Sequence, residues 1–225
     1  MVTLTKEEDV FILDLGNDEN RFTPDWIAGV SSALTEIAQA SGPRALVTRG
    51  EGKFWSNGLD LDWLIANRDQ TLPYISSVQN LLIQCLELPV YSIAVLQGHC
   101  FAAGALLALS HDTRAMRSDR GFFCLPEVDL GIPFTPGMSM LIQGKLSKRA
   151  AHESMTTGRR YGGEDALEFG IADWIAGEED LVTRAMEQAA PLAAKAGPTL
   201  AAIRSRMYAD AIASLRSDAG LQIPE

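Results

Sequence analysis

The chain has 225 residues, of which 47% are hydrophobic and 21% charged, so it is long enough to bury a substantial core. Its formal net charge is −10, and its Lys and Arg residues are scattered, which argues against nucleic acid as a partner. No apolar run reaches the ~20 residues of a membrane span, and no signal peptide is visible. We therefore expect one globular domain over residues 1–225, in the cytoplasm and without a membrane contact.

The cysteines of the chain lie in apolar surroundings and lack the C-x-x-C spacing of metal or redox sites. They are Cys85, Cys100 and Cys124. Buried free thiols in a reducing compartment are the favoured interpretation. The three histidines show no ligand spacing either. The sequence thus predicts neither a metal site nor a redox cofactor.

Alternating short strands and helices are predicted at the start of the chain. Val2–Leu4 and Val10–Leu15 read as an antiparallel pair of strands, and a helix begins at Thr23, a capping residue followed by proline. A third strand over Arg44–Thr48 leads into a loop, Arg49–Asn57, that contains two glycines. A loop at the carboxyl end of a strand is where open α/β sheets bind ligands.

The same alternation continues into the middle of the chain. Helices are predicted over Leu59–Ile65 and Pro73–Leu88, and the strand Val90–Leu96 runs into a turn of small residues. A buried helix rich in Ala and Leu then begins at Ala102, and the strand Thr113–Arg117 follows. This strand–helix–strand order predicts parallel pairing with right-handed crossovers.

After a short strand over Phe122–Leu125, the pattern becomes helical, and only Ile171–Ile175 suggests an extended segment. The sequence therefore predicts that the C-terminal third is a layer of helices. The predicted helices are Met138–Leu146, Lys148–Thr156, Gly163–Glu168, Asp180–Ala194 and Thr199–Leu215.

The stretch Gly98–Asp112 combines a strand, a tight turn and the start of a helix. A helix N-terminus presents unpaired N–H groups and the positive end of the helix dipole. An oxygen that becomes anionic during a reaction can be stabilised there. Glu127 then offers a carboxylate after the next short strand.

Several segments, taken in order and at their spacing, resemble those of the crotonase (enoyl-CoA hydratase/isomerase) superfamily over essentially the whole chain. They are Lys53–Leu61, Gly98–Asp112, Phe123–Ile132, Thr157–Arg160 and Ala166–Asp173. The resemblance implies an α/β fold, a crotonase-like spiral of ββα units in residues 1–137. It also implies a C-terminal helical layer in residues 138–225 that drives trimer formation.

The resemblance also implies which groups contact an acyl-CoA substrate. The thioester carbonyl is held in an oxyanion hole by the backbone N–H groups of two residues, Leu59 and Ala103. Further substrate contacts fall in the first motif, at Ser56, Asn57, Gly58 and Asp60. For the side chain of Asp60, a helix cap or turn acceptor is favoured over a part in the chemistry.

One departure from the family pattern decides the reaction. Hydratases of this family carry a carboxylate three residues past the second oxyanion position, where this chain has Leu106. Glu127, in the Pro-Glu motif, is left as a lone carboxylate that removes a proton and returns it two carbons away. The pattern is closest to the Δ3-Δ2-enoyl-CoA isomerases, with Glu127 catalytic and coenzyme A as part of the substrate rather than a cofactor.

Other interpretations assign different roles to the same residues. Glu127 in another context would be a solvated acid or the partner of an arginine. The same enolate would also serve decarboxylation, thioester hydrolysis, ring chemistry or weak hydration. A non-catalytic acyl-CoA-binding protein would keep the same cavity.

The apolar residues of the helical layer favour an oligomer, because a monomer would leave part of their surface in water. They include Met138, Met140, Leu141, Ile142, Met155 and Trp174. Together with the family resemblance, they predict a homotrimer, or a hexamer made of two trimers.

Overall fold

The computed structural model describes residues 1–217, and within them the strands form two sheets. The larger sheet has six strands in the order β1-β2-β3-β5-β7-β9, and the smaller has three in the order β4-β6-β8. The strands are β1 Thr3–Glu7, β2 Val10–Asp14, β3 Ala45–Arg49, β4 Phe54–Ser56, β5 Tyr91–Leu96, β6 His99–Phe101, β7 Thr113–Arg117, β8 Phe123–Cys124 and β9 Trp174–Ala176.

Helices cover both faces of the larger sheet and make up most of the C-terminal third. Short 3-10 helices over Arg68–Gln70 and Ala190–Lys195 accompany them. The α-helices are α1 Pro24–Gln39, α2 Leu61–Ala66, α3 Thr71–Leu86, α4 Ala103–Ser110, α5 Glu127–Leu130, α6 Pro136–Lys145, α7 Lys148–Thr157, α8 Gly163–Glu168, α9 Glu178–Ala189, α10 Pro198–Met207 and α11 Ala209–Arg216.

The larger sheet begins with the predicted antiparallel pair, β1 and β2, in which Thr3 lies opposite Asp14. The pairs from β2 through β9 are parallel, as the strand–helix–strand order predicted. Alternate residues of β5 point to opposite faces: Ala94 packs in the cluster under α1, α3 and α4, and Val95 packs in the cluster under α9. Burial on both faces explains why β5 is continuously apolar over Ile93–Leu96.

Helix α1 shows how local sequence sets an element. The side-chain oxygen of Thr23 accepts a hydrogen bond from Trp26 N at 3.1 Å, and a proline occupies the first turn. Apolar residues three or four apart, among them Val30 and Leu34, then face the core. The predicted start of this helix is confirmed.

Of the smaller sheet, β8 lies within the predicted short strand Phe122–Leu125, whereas β4 and β6 were not predicted. The segment Arg49–Asn57, read as a loop, contains β4, and the turn before α4 contains β6, which pairs in parallel with β4 and β8. Strands of two or three residues are too short to show a hydrophobic alternation. Their carboxyl ends lie at one edge, so Leu59, Ala103 and Glu127 each follow a strand of this sheet by two or three residues.

The C-terminal layer differs from the prediction in two ways. The helix predicted over Thr199–Leu215 is two helices, α10 and α11, that meet at Tyr208, where φ is −112°. The expectation that the layer leaves its apolar residues in water is wrong for four of the six residues, because they pack within their own subunit. These four are Met138, Leu141, Ile142 and Trp174, all buried.

Met140, by contrast, is 42% exposed. Residues 218–225 of the predicted helical region lie outside the described residues. Between residues 1 and 217, no helix combines the length and the hydropathy that crossing a bilayer requires.

Candidate active site

The three strand ends of the smaller sheet open onto a cavity of about 350 Å³. Its wall includes Leu59, Ala103 and Glu127, so the structure brings together the two predicted backbone donors and the predicted base. Leu106 and Met138 in this wall are buried, whereas Leu130 and Arg160 at its rim are exposed.

Hydrogen bonds in the segment 57–60 single out the N–H of Leu59. Asn57 N donates to Glu19 O at 2.9 Å, and Gly58 N donates to Ser56 Oγ at 3.2 Å. Asp60 N donates to the hydroxyl of Tyr74 at 3.0 Å. The Leu59 N–H between them has no acceptor in the part of the chain that the structure describes, and it lies in the cavity wall.

The second donor lies at the start of α4. Ala102, the residue before the helix, has φ 51° and ψ −125°, a backbone conformation that residues other than glycine rarely adopt. Its own N–H donates to Cys124 O at 3.1 Å. The N–H of Ala103 has no acceptor within residues 1–217, and it points out of the positive end of the helix dipole.

Two glycines allow the two donor segments to touch. A Cβ atom at Gly58, where φ is +80°, would lie 2.9 Å from Phe101 O and 3.0 Å from Ala103 N. A Cβ atom at Gly104 would lie 2.7 Å from the Cβ of Ser56. Any side chain at either position would therefore push the two N–H groups apart. The close approach places the segments that carry both donors in contact with each other.

Glu127 begins the short helix α5, and its carboxyl group faces the same cavity. Its Oε2 atom is buried and has no hydrogen-bond partner among the described residues. Burial raises the pKa of Glu127 to about 7, because a carboxylate loses its hydration there. A carboxyl group with that pKa can both accept and donate a proton near neutral pH.

The cavity holds few polar groups besides these. Among the described residues in its wall, Glu127 is the one carboxylate, and Leu106 lies in the same wall with 1% of its surface exposed. The cavity thus offers one acid or base and two backbone donors. It lacks, in that wall, a second acid to orient a water molecule.

The predicted substrate contacts of the first motif are only partly in the cavity wall. Asn57 lies there, whereas Ser56, Gly58 and Asp60 do not. Ser56 is fully buried, and its hydroxyl donates to Asn20 O at 2.7 Å, so it supports the loop from behind. Asp60 Oδ1 accepts from Trp63 N at 3.2 Å, which confirms the interpretation of this side chain as a helix cap.

Sequence reasoning missed the residues at the rim. Arg21 and Arg160 both lie in the cavity wall, and the Arg160 guanidinium lies over the ring of Phe101 at 5.7 Å. Arg160 belongs to one of the motifs quoted above, so a signal for it was present. Arg21 lies in a polar loop, and no sequence pattern distinguished it from its neighbours.

Within residues 1–217 no group of three or more His, Cys, Asp or Glu side chains could hold a metal ion. The three cysteines are free and buried. Burial raises the pKa of the Cys85 thiol to about 12, which keeps it protonated and unreactive.

The fold and the cavity together define an enzyme of the crotonase fold, whose cavity wall contains two backbone N–H groups without acceptors among the described residues and one carboxylate. The chain belongs to the enoyl-CoA hydratase/isomerase family, whose model matches residues 5–222. The predicted family and fold class are thereby confirmed.

Relatives and solved structures agree with this assignment. Enoyl-CoA delta isomerase 2 of Arabidopsis thaliana, named as peroxisomal, is 39% identical over 223 residues, with 92% of each chain covered. Enoyl-CoA delta isomerase 3 of the same plant is 39% identical over 219 residues, also with 92% of each chain covered. An enoyl-CoA isomerase from Mycobacterium tuberculosis superposes with a TM-score of 0.88 at 24% identity, over 96% of this chain and 95% of that chain, which supports the fold.

Proposed function

We propose that the protein is an enoyl-CoA isomerase that moves the double bond of a 3-enoyl-CoA thioester to the 2-position. The observation that supports this most is a single carboxylate, Glu127, that shares a cavity wall with two backbone N–H groups for which the described residues offer no acceptor. The names of the two Arabidopsis relatives agree with this reaction.

In the first step the thioester carbonyl oxygen accepts hydrogen bonds from Leu59 N–H and Ala103 N–H. These donors are fixed by the fold before the substrate arrives, so they stabilise the negative charge that develops on the oxygen without reorganising. The protons on C2 become more acidic, because the electron pair left behind is delocalised onto that oxygen and over the neighbouring double bond. A weak base such as a carboxylate is then sufficient.

Glu127 next transfers the proton. Its carboxylate removes a proton from C2, the C2 electron pair forms a dienolate, and the resulting carboxylic acid returns the proton to C4. The C3–C4 double bond becomes a C2–C3 double bond conjugated with the thioester, and the negative charge leaves the oxygen. Protons and electrons balance without water, metal or redox cofactor, and coenzyme A enters only as part of the substrate.

Leu106 supports isomerisation over hydration. Adding water across a 2-enoyl thioester needs one group to deprotonate the water and another to protonate C2. A leucine side chain at the position of the hydratase carboxylate can do neither, and Leu106 lines the same cavity as Glu127.

We also propose that the active protein is a homotrimer or a pair of trimers. The support from this chain is a patch on α6 and α10, where Met140, Ile203 and Met207 are 42%, 50% and 65% exposed. Light scattering at micromolar concentration tests this, and a mass near 24.4 kDa for the active species would contradict it. The predicted cytoplasmic location stays a prediction.

A screen of 3-enoyl-CoA thioesters of graded chain length tests the function, with the conjugated 2-enoyl thioester followed by its absorbance. We expect turnover by the wild type and a loss of ~10²-fold or more in Glu127→Gln. Glu164→Gln, which removes an exposed carboxylate outside the cavity, is the matched control. A wild type that converts no chain length, or a Glu127→Gln variant with wild-type turnover, would refute the proposal.

A further inference from the structure

Tyr74 lies outside the cavity wall but is bonded to the segment that carries the Leu59 donor. It is on α3, 4% exposed, and its ring stacks on that of Trp63 with 5.1 Å between centroids. Its hydroxyl donates to Phe22 O at 2.7 Å and accepts from Asp60 N at 3.0 Å. One buried hydroxyl therefore joins two backbone groups from distant parts of the chain.

These two backbone groups belong to a short parallel bridge between Phe22 and Leu59. Phe22 N donates to Gly58 O at 2.9 Å, which is one of the two bonds expected in such a bridge. The return bond would run from Asp60 N to Phe22 O, and the Tyr74 hydroxyl bonds to both of these groups. The Tyr74 hydroxyl thus sets the distance between the two chain segments at the bridge between Phe22 and Leu59.

The consequence concerns the two peptide groups on either side of the Leu59 Cα atom. The first carries the Leu59 N–H, and its carbonyl oxygen, Gly58 O, is held by Phe22 N. The second carries the Asp60 N–H, which is held by Tyr74. With both peptide groups fixed, rotation at Leu59 is restrained, and so is the direction of its N–H.

We propose that Tyr74 is a positioning residue for the oxyanion hole, which aims the Leu59 N–H at the substrate oxygen through the Asp60 peptide. The inference rests on the proposed function. A hydrogen bond prefers an angle above about 150° and weakens steeply below about 120°, so a rotation of roughly 30° or more at Leu59 weakens the donor. One such donor is worth about 10²–10³-fold in turnover, which sets the largest effect that its misalignment can have.

The hydroxyl keeps this role at every working pH. Burial raises the pKa of Tyr74 well above its usual value, so the group stays protonated and continues to donate to Phe22 O. Phenylalanine at this position would keep the ring against Trp63 and remove only the hydroxyl.

The test compares Tyr74→Phe with a matched control, Tyr91→Phe. Tyr91 also forms a hydroxyl bond, with Thr113 Oγ1, but lies outside the cavity wall and has no contact with the donor segments. We expect kcat of Tyr74→Phe to fall about 10- to 100-fold with little change in KM. Tyr91→Phe should keep the wild-type kcat even if its stability falls.

A second measurement tests the oxyanion hole directly and does not require turnover. The infrared stretch of a ¹³C-labelled thioester carbonyl, in a bound saturated acyl-CoA, shifts to lower frequency when donors polarise it. We expect a shift in the wild type and in Tyr91→Phe, and a smaller shift in Tyr74→Phe. Tyr74→4-aminophenylalanine, whose amine can donate and accept, should restore part of both the shift and kcat.

The two possible failures are distinguishable. Wild-type kcat and carbonyl frequency in folded Tyr74→Phe would overturn the positioning role and leave the oxyanion hole intact. A wild-type complex with no carbonyl shift would instead refute the oxyanion hole, and the proposed function with it.

Discussion

Replacing Glu127 by glutamine should change the free energy of unfolding by an amount that depends on pH. This pH dependence has the opposite sign to that found for most carboxylates. The pKa of Glu127 is raised by burial from 4.5 to about 7 in the folded protein. Between these values the folded state binds more protons than the unfolded state, so the free energy of unfolding falls as pH rises. The shift in the pKa of Glu127 corresponds to about 3 kcal/mol of unfolding free energy, and most of this change occurs between about pH 5 and about pH 8.

Glutamine keeps the shape of the side chain but does not ionise in this range. Relative to the wild type, Glu127→Gln should therefore gain about 2 to 3 kcal/mol in unfolding free energy between about pH 5 and about pH 8. Urea denaturation of both proteins at the two pH values measures this difference, and other titrating groups cancel. Isomerase kcat/KM should rise with pH through about 7, since the base must be ionised.

The result that would refute this reasoning is a constant stability difference between the two proteins across that range. It would mean that Glu127 is hydrated in the folded state and titrates at its ordinary pKa.

One comparison of reactions and two substitutions test separate parts of the structure. Hydration of crotonyl-CoA should be at least about 100-fold slower than isomerisation because of Leu106, and comparable rates would indicate a hydratase with a relocated second acid. Ala103→Pro removes one oxyanion donor and its ring also perturbs Ala102, so turnover should fall ~10²–10³-fold or more, and a folded, active variant would refute this donor. Arg204→Met should lower the unfolding free energy by about 3 kcal/mol or more, because the buried guanidinium donates to four backbone carbonyls, and an unchanged urea midpoint would contradict this.

Long elements with a clear period could be predicted from the sequence. Helix α1 has both a capping residue and a regular apolar stripe, and β7 matches its predicted bounds of Thr113–Arg117. Strands β4 and β6 of the smaller sheet could not be predicted in this way, since each has only three residues and is stabilised by pairing with a strand far away in the chain. The smaller sheet forms only when the rest of the fold brings its three strands into register.

The site residues that lie in the family motifs could be predicted, whereas those positioned by long-range contacts could not. The family motifs led to Leu59, Ala103 and Glu127. The pairing of Tyr74 with a carbonyl 52 residues away, at Phe22, leaves no trace in local sequence. The burial of the apolar residues near Met138 was misjudged for the same reason, because periodicity shows which face is apolar but not what covers it.

The most direct test of a single shuttling carboxylate follows the proton itself. A 3-enoyl-CoA substrate carrying deuterium at C2 is converted in a single turnover in ordinary water, and the product is examined at C4. With Glu127 as the one base, part of the deuterium removed from C2 should appear at C4, because the buried acid returns it before exchange with solvent is complete. A product whose C4 carries only hydrogen from water would contradict transfer by Glu127 alone.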